Sequence, residues 1–502
     1  MNAAAGSLGP RSARRLVKHP VVGYSARVIL AYDIGTTHLK GAVVDAGGRV
    51  LANARVPVRG LPGAEPLASE IDPDAWLSGI ALVTAQLGLR DREHLKGVVV
   101  SGNGPTLVAV DITGEPVGPA LGWQDRRAVD EAELVAEFSG SYLDESFYLP
   151  KALWMMRRRP VQYARTRWFL PSAEFLDFVL TGHAHRVNST PAFAELFWNE
   201  SAIRRVGLDP DRFPPFVEPG DRVGTVTGQA ADSLGVPEGL PVFAGGPDFL
   251  MSILGAAATQ PGRACDRTGT SEGINLCWHR PVQDRRLLCF PHIVHGVYNI
   301  AAILSSSGSS LSWAAGTIAG FDGDVDALIA AAAGAPPGAG RLLFLPFLSP
   351  ERFPLWDPHA RGAFVGITRV HGPDEMARAV VESTGFAVRA AIEVMESYGA
   401  QVADLRATGR LSRSPAWCQA RADVTGRRVL AGDQEDADLV GNACVGFYGL
   451  DAYDSLAAAS ESLVRFDRVY QPAAAHREMY SGLYAAFRTA CVGLAETFSG
   501  LG

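Results

Sequence analysis

Twice in this chain an apolar run ends in a glycine-threonine turn and then resumes. The first case is "YDIGTTHLKG", Tyr32–Gly41, set between Val28-Ile29-Leu30 and Ala42-Val43-Val44. The second is "DRTGTSEG", Asp266–Gly273, close to the midpoint of the 502 residues. A polar turn between two short apolar runs predicts a β-hairpin. Its return at the midpoint is where a second copy of a fold would begin. A chain this long exceeds one ordinary hydrophobic core, which also predicts two domains. The expected division is a flexible leader at 1–26, one domain at 27–255 and another at 256–502. After the first hairpin, Asp45-Ala46-Gly47-Gly48 supplies a second hairpin turn. A helix is expected to open near Asp72 or Pro73, and "LKGVVVSGNG" reads as a buried strand ending in a glycine turn. A hairpin-led sheet covered by helices is an α/β arrangement. It is neither a dinucleotide-binding βαβ start nor a (β/α)8 barrel.

Composition narrows the function. Lys and Arg total 46 against 53 Asp and Glu, a formal charge of -7, which argues against a nonspecific nucleic-acid binder. No run of 18 apolar residues suggests a membrane span. The basic residues Arg11, Arg14, Arg15 and Lys18 are not followed by the apolar stretch of a secretory signal. Six cysteines without a CxxC pair read as buried thiols of a reducing, cytoplasmic compartment. His292 and His295 have metal-like spacing, yet no third ligand is evident and a zinc site is not expected. No GxxxxGK[ST] motif occurs, so a P-loop has no support.

Four groups of residues are candidates for chemistry. In the first turn, Gly35, Thr36 and Thr37 offer amides and hydroxyls that cradle phosphate oxygens. Asp33 repels phosphate and helps only through a divalent cation. Lys40 either reaches the anion or caps a solvated strand. In "AGGPDFLMSILGA", Asp248 is either an ordinary helix-start acid or a general base at a cleft edge. "SGNGPT" and "GWQDRR" supply Asn103, Trp123, Asp125 and Arg127, which suit the hydroxyls and the apolar face of a sugar. The glycine turns at Gly308, in "SSSGSSLSWAAG", and at Gly409, in "ATGRLSRSPAW", read either as nucleotide-holding turns or as helix entries.

Taken in chain order, these segments resemble the FGGY family of carbohydrate kinases, from about residue 28 to 495. "YDIGTTHLKG" resembles the family's first phosphate loop and "DRTGTSEG" its second. "PKALWMMRRRP" and "GAFVGITRVHGPDEMARAVVE" resemble its two signatures, and "PAWCQARAD" is similar to the segment leading from the adenine pocket. The resemblance implies a two-domain ribonuclease-H-like, actin-like ATPase fold with a central cleft. It implies ATP and Mg²⁺ as cofactors and a small sugar or polyol as substrate, with a homodimer as one possible assembly. Under it, Asp33 organises the metal and Asp248 is the catalytic base. Gly35, Thr36, Thr37, Gly269, Thr270 and Ser271 face the ATP phosphates. Gly308, Ser312 and Gly409 line the nucleoside, and Asn103, Trp123, Asp125, Arg127 and Asp248 meet the sugar. The nearest branch is the xylulose-kinase-like one, with two departures. "SGNGPT" stands where that branch usually has Ser-Gly-Gln-Met-His-Gly, so the sugar pocket is atypical. Arg410 and Leu411 stand where the family commonly has further glycines, which makes a catalytically impaired sugar- or nucleotide-sensing protein the alternative.

Overall fold

A computed structural model describes residues 27–501, apart from 62–64, 90–93, 140–143, 270, 350–352, 354–358 and 433. The expected leader at 1–26 and Thr270 lie outside the described residues.

The first half is built on β1 (Val28–Ile34), β2 (His38–Asp45), β3 (Val50–Pro57), β4 (Leu95–Gly102) and β5 (Pro241–Pro247). β1, β2 and β3 are successive antiparallel neighbours, while β4 pairs parallel with β1 and β5 parallel with β4. Their order across the sheet is therefore 3-2-1-4-5, with the short strand Arg222–Thr225 at the edge. The second half repeats the pattern with β6 (Arg263–Thr268), β7 (Glu272–Trp278), β8 (Tyr298–Leu304), β9 (Asp404–Thr408) and β10 (Arg428–Ala431). β6–β7 and β7–β8 are antiparallel; β6–β9 and β9–β10 are parallel. Both glycine-threonine turns thus fall at the same place, between strands one and two of each sheet. This duplicated order is the ribonuclease-H-like, actin-like arrangement expected from the sequence.

The local reasons are legible. All seven residues of β1 are buried, which is why its sequence is a continuous apolar run rather than an alternating one. The expected helix is α1 (Pro73–Leu87). Asp72 caps it by accepting from the Asp74 amide, and Gly88 ends it in the left-handed region at φ 57°. The region 151–182 holds α2 (Tyr148–Arg158), a short helix Pro160–Arg165, the strand Trp168–Pro171 and α3 (Ser172–Thr181). "RRRP" lies at the break between the first two helices, and "FLPS" runs from the strand into α3.

Two helices occupy equivalent places after the fifth strand of each sheet: α4 (Asp248–Gly255) and α8 (Ala437–Gly449). Between them in sequence lie α5 (Ser307–Thr317), α6 (Pro373–Ser397) and α7 (Pro415–Thr425). α4 and α8 cross with their backbones in contact. A Cβ added to Gly255 would stand 1.7 Å from the Ala437 carbonyl oxygen, and one added to Gly441 would stand 2.0 Å from that of Met251. Around the crossing, Ile29 and Ala31 of β1, Met251 and Leu254 of α4, and Ala443 and Val445 of α8 share one buried cluster. α8 belongs to the second half of the sequence and lies against the first half's central strand. That position brings distant residues to the cleft.

Candidate functional site

Asp33 is the sixth residue of β1 and is 1% exposed. Its Oδ1 accepts from Ser101 Oγ of β4 at 2.8 Å. Its Oδ2 lies 3.7 Å from Lys40 Nζ of β2. Lys40 does not cap a solvated strand: its Nζ is 2.9 Å from both Asp436 and Asp438 of the second half. Asp248 opens α4, where the helix N-terminus favours a carboxylate. Its Oδ2 is 3.5 Å from Arg267 Nη1, one residue before Thr268 and the second turn.

The four carboxylates Asp33, Asp248, Asp436 and Asp438 share one site with Lys40 and Arg267, and Arg55 joins it at the Asp436 edge, 3.6 Å away. Burial, then the neighbouring Asp438 carboxylate, pushes the Asp33 carboxyl well above the usual range, against the pull of Lys40. Burial also raises Asp248, and Arg267 opposes it. Asp438 is buried too, but Lys40 and a hydrogen bond with Asp33 bring it below the usual range. Among the described residues no three such side chains converge closely enough to hold a metal ion by themselves, so a hard divalent ion here would keep much of its own water.

The first turn is a tight hairpin in which the Gly35 amide donates to the His38 carbonyl at 3.0 Å, and Thr36 and Thr37 are exposed. His38 begins β2. In the second turn the Gly269 amide donates to the Ser271 carbonyl at 2.9 Å, with both residues exposed. Gly409, at φ 85°, rests its bare Cα against this region: a Cβ there would be 2.1 Å from the Thr268 carbonyl oxygen. Ser307 Oγ donates to Glu272, which ties the start of α5, and so Gly308, to the same turn. Gly269, Ser271, Gly308 and Gly409 are thus brought together. Ser312 lies a turn further along α5, exposed, with its Oγ on the Gly308 carbonyl at 3.2 Å. Arg410 is drawn to Asp326 at 2.9 Å, both largely exposed, and Leu411 is buried.

The sugar candidates separate into two kinds. The Asn103 amide N–H donates to the Ile34 carbonyl at 2.8 Å, beside the first turn. Its Oδ1 accepts from Thr106 Oγ1 at 2.7 Å, and its buried Nδ2 has no hydrogen-bond partner among the described residues. Trp123 Nε1 donates to Thr36 Oγ1 at 3.0 Å, so this ring is attached to the first turn. Asp125 and Arg127, in contrast, are taken up by each other. Arg127 Nη2 is 2.7 Å from Asp125 and 2.7 Å from Glu70, its guanidinium lies over the Trp154 ring, and Asp125 also accepts from the Ser69 amide. In this structure these two side chains brace the segment that carries Trp123. His292 is likewise occupied by backbone, its ring nitrogens meeting the Ala258 carbonyl and the Val294 amide, and burial pushes it down to about 4.

Several residues of the site were not singled out from the sequence. Asp436 and Asp438 lie in "QEDADLVG", an acidic run entering an apolar helix. That is the same pattern as Asp248 entering α4, and the duplication was the signal that could have found it. Tyr148 is buried, stacks on Trp198 with centroids 4.5 Å apart, and is raised by burial and then by Glu174 and Asp248. Its hydroxyl therefore belongs to the same polar neighbourhood as Asp248.

The comparisons agree with this geometry. The model of the N-terminal domain of the FGGY family of carbohydrate kinases matches residues 28–255, and that of its C-terminal domain matches 267–450. A xylulose kinase of Staphylococcus epidermidis is 29% identical over 478 residues, covering 92% of this chain and 95% of its own. The crystal structure of xylulose kinase from Rhodospirillum rubrum superposes with a TM-score of 0.79 at 27% identity, over 94% of this chain and 100% of that one. A gluconate kinase from Lactobacillus acidophilus shares the fold at TM-score 0.82 and 22% identity, over 95% and 100%. A duplicated actin-like fold, glycine turns at equivalent places in its two sheets and both domain matches in order lead to one conclusion: this chain belongs to the FGGY family of carbohydrate kinases and is an ATP-dependent sugar phosphotransferase.

Proposed function

We propose that the chain transfers the γ-phosphate of ATP to a hydroxyl of a small ketose or polyol, with xylulose the first candidate from its relatives. Residues 27–255 would carry the sugar and the first phosphate turn, and 256–502 the nucleotide. The observation that carries the reading is the meeting of Asp33 and Asp248 in one charged site between the two turns. Asp248 aligns the acceptor hydroxyl and takes its proton as the bond to phosphorus forms. Its raised basicity suits that task, since a sugar hydroxyl is not ionised beforehand. The two turns would meet the ATP phosphates, with the exposed Thr36, Thr37 and Ser271 supplying polar groups. Asp33 would hold Mg²⁺ through the ion's own waters, and the ion, when bound, would neutralise phosphate charge. The unpartnered Asn103 Nδ2 is a donor for a sugar oxygen, because a buried donor left unmade is costly. Trp123, attached to Thr36, offers an apolar surface to the sugar. The pairing of Arg410 with Asp326 favours an active kinase over an impaired sensor.

An ADP-release assay over ketopentoses, pentitols, tetritols and sugar acids tests this. Turnover should depend on one of these acceptors. It should fall on the order of 10²–10⁴-fold in Asp248→Asn, the usual contribution of a general base. Undiminished turnover in that variant overturns the role of Asp248. No turnover with any acceptor overturns the substrate class.

A further inference from the structure

Asp33 is reached by a second route from the far end of the chain. Asn442, on α8, is fully buried, as is Ser101. Its Nδ2 donates to the Tyr32 carbonyl at 2.8 Å and to Ser101 Oγ at 2.9 Å. The amide orientation is dictated, since a carbonyl oxygen only accepts and the group facing Tyr32 must be the NH₂. Ser101 Oγ has one proton and two acceptors within reach: Asp33 Oδ1 at 2.8 Å and the Tyr32 carbonyl at 3.5 Å. Asn442 already donates to the Tyr32 carbonyl and to a Ser101 lone pair, and the much shorter contact makes Asp33 the better partner for that proton.

We propose that Asn442 is a positioning residue for Asp33, acting through Ser101. The chain Asn442–Ser101–Asp33 fixes which carboxylate oxygen is spent on protein and which is presented to the cleft. Three elements take part, β1 and β4 from the first half and α8 from the second, with 341 and 410 residues between Asn442 and its two partners. α8 also carries Asp438, which grips Lys40 beside the other Asp33 oxygen. The geometry of the proposed metal carboxylate is therefore set by where the second half places α8. This inference rests on the kinase reading for its meaning, but not for its test.

The experiment measures Mn²⁺ binding to the full chain in the presence of ADP, by electron paramagnetic resonance, for wild type, Ser101→Ala, Asn442→Ala and the double variant. Ser101→Ala keeps the Asn442–Tyr32 bond and removes a single oxygen, so it remains informative where Asn442→Ala lowers the melting temperature. Each single variant should weaken Mn²⁺–ADP binding on the order of tenfold, the effect of one hydrogen bond to a charged group. The double variant should be no weaker than the weaker single, because one chain is broken only once. In steady-state turnover the sugar KM should stay unchanged while the Mg²⁺ requirement rises. Unaltered Mn²⁺ affinity in Ser101→Ala, or additive losses in the double variant, overturns the proposal. Absence of turnover in the wild type would instead defeat the kinase reading, and the Mn²⁺ titration would still decide the positioning role.

Discussion

The crossing of α4 and α8 gives the sharpest quantitative prediction, through Gly441→Ala. The added methyl would stand 2.0 Å from the Met251 carbonyl oxygen and 2.7 Å from its carbon. Real contacts of this kind need about 3.2 Å, so the helices must part by roughly 1.2 Å. The obstacle is helix backbone on both sides, and no rotamer change relieves it. Ordinary overpacking costs about 1–3 kcal/mol. A helix-wide displacement belongs at the upper end of single-substitution effects, about 4 kcal/mol. For a cooperative unit of 150–250 residues that is a fall of roughly 10 °C in melting temperature. Differential scanning calorimetry reads it, and hydrogen exchange should show faster opening of α8. Because Asn442 is the next residue, the same shift should stretch its 2.8 Å bond to Tyr32 and weaken metal binding as well. Gly482→Ala is the control: a Cβ there meets nothing within 4 Å, and in the interior of the helix Arg477–Gly493 it should be neutral or stabilising by up to about 1 kcal/mol. A Gly441→Ala protein that melts with the wild type refutes the close approach and the account of α8 built on it.

Other outcomes follow from single sites. Glu174 is fully buried and burial pushes it up to about 7. Its neutral form is thus favoured in the fold, and that stability is present below the unfolded value near 4.5 and lost as pH rises through about 7. Glu174→Gln should flatten the decline between pH 5 and 7, worth on the order of 3 kcal/mol; urea midpoints with the same slope in both proteins contradict it. Lys151 is 1% exposed and donates to the Pro105 and Gly122 carbonyls at 2.6 Å each. Lys151→Met leaves these buried acceptors unpaired and should cost about 3 kcal/mol in denaturant unfolding; a loss below 1 kcal/mol would show that other groups replace the amine. Arg410→Ala should leave the KM for ATP within about twofold, since the exposed pair with Asp326 contributes little. A markedly lower KM would mean that Arg410 crowds the nucleotide after all.

The sequence by itself determined the architecture. Apolar runs with polar glycine turns are local patterns; their repetition at the midpoint pointed to a second copy, and the family resemblance of the segments in chain order supplied the two-domain fold. Asp33 and Asp248 were legible for the same reason, each sitting at an element end with a recognisable neighbour. At Asp125 and Arg127 side-chain type reveals capacity, not occupancy: that Glu70, 57 residues from Arg127, holds its guanidinium is decided by the fold. Lys40, Asp436, Asp438 and Asn442 form one constellation only because α8 lies against β1, nearly 400 residues away from Lys40 in sequence. No local propensity encodes that approach. It is decided by two bare glycines, Gly255 and Gly441, which let the helix backbones touch, and by the apolar burial that holds them there.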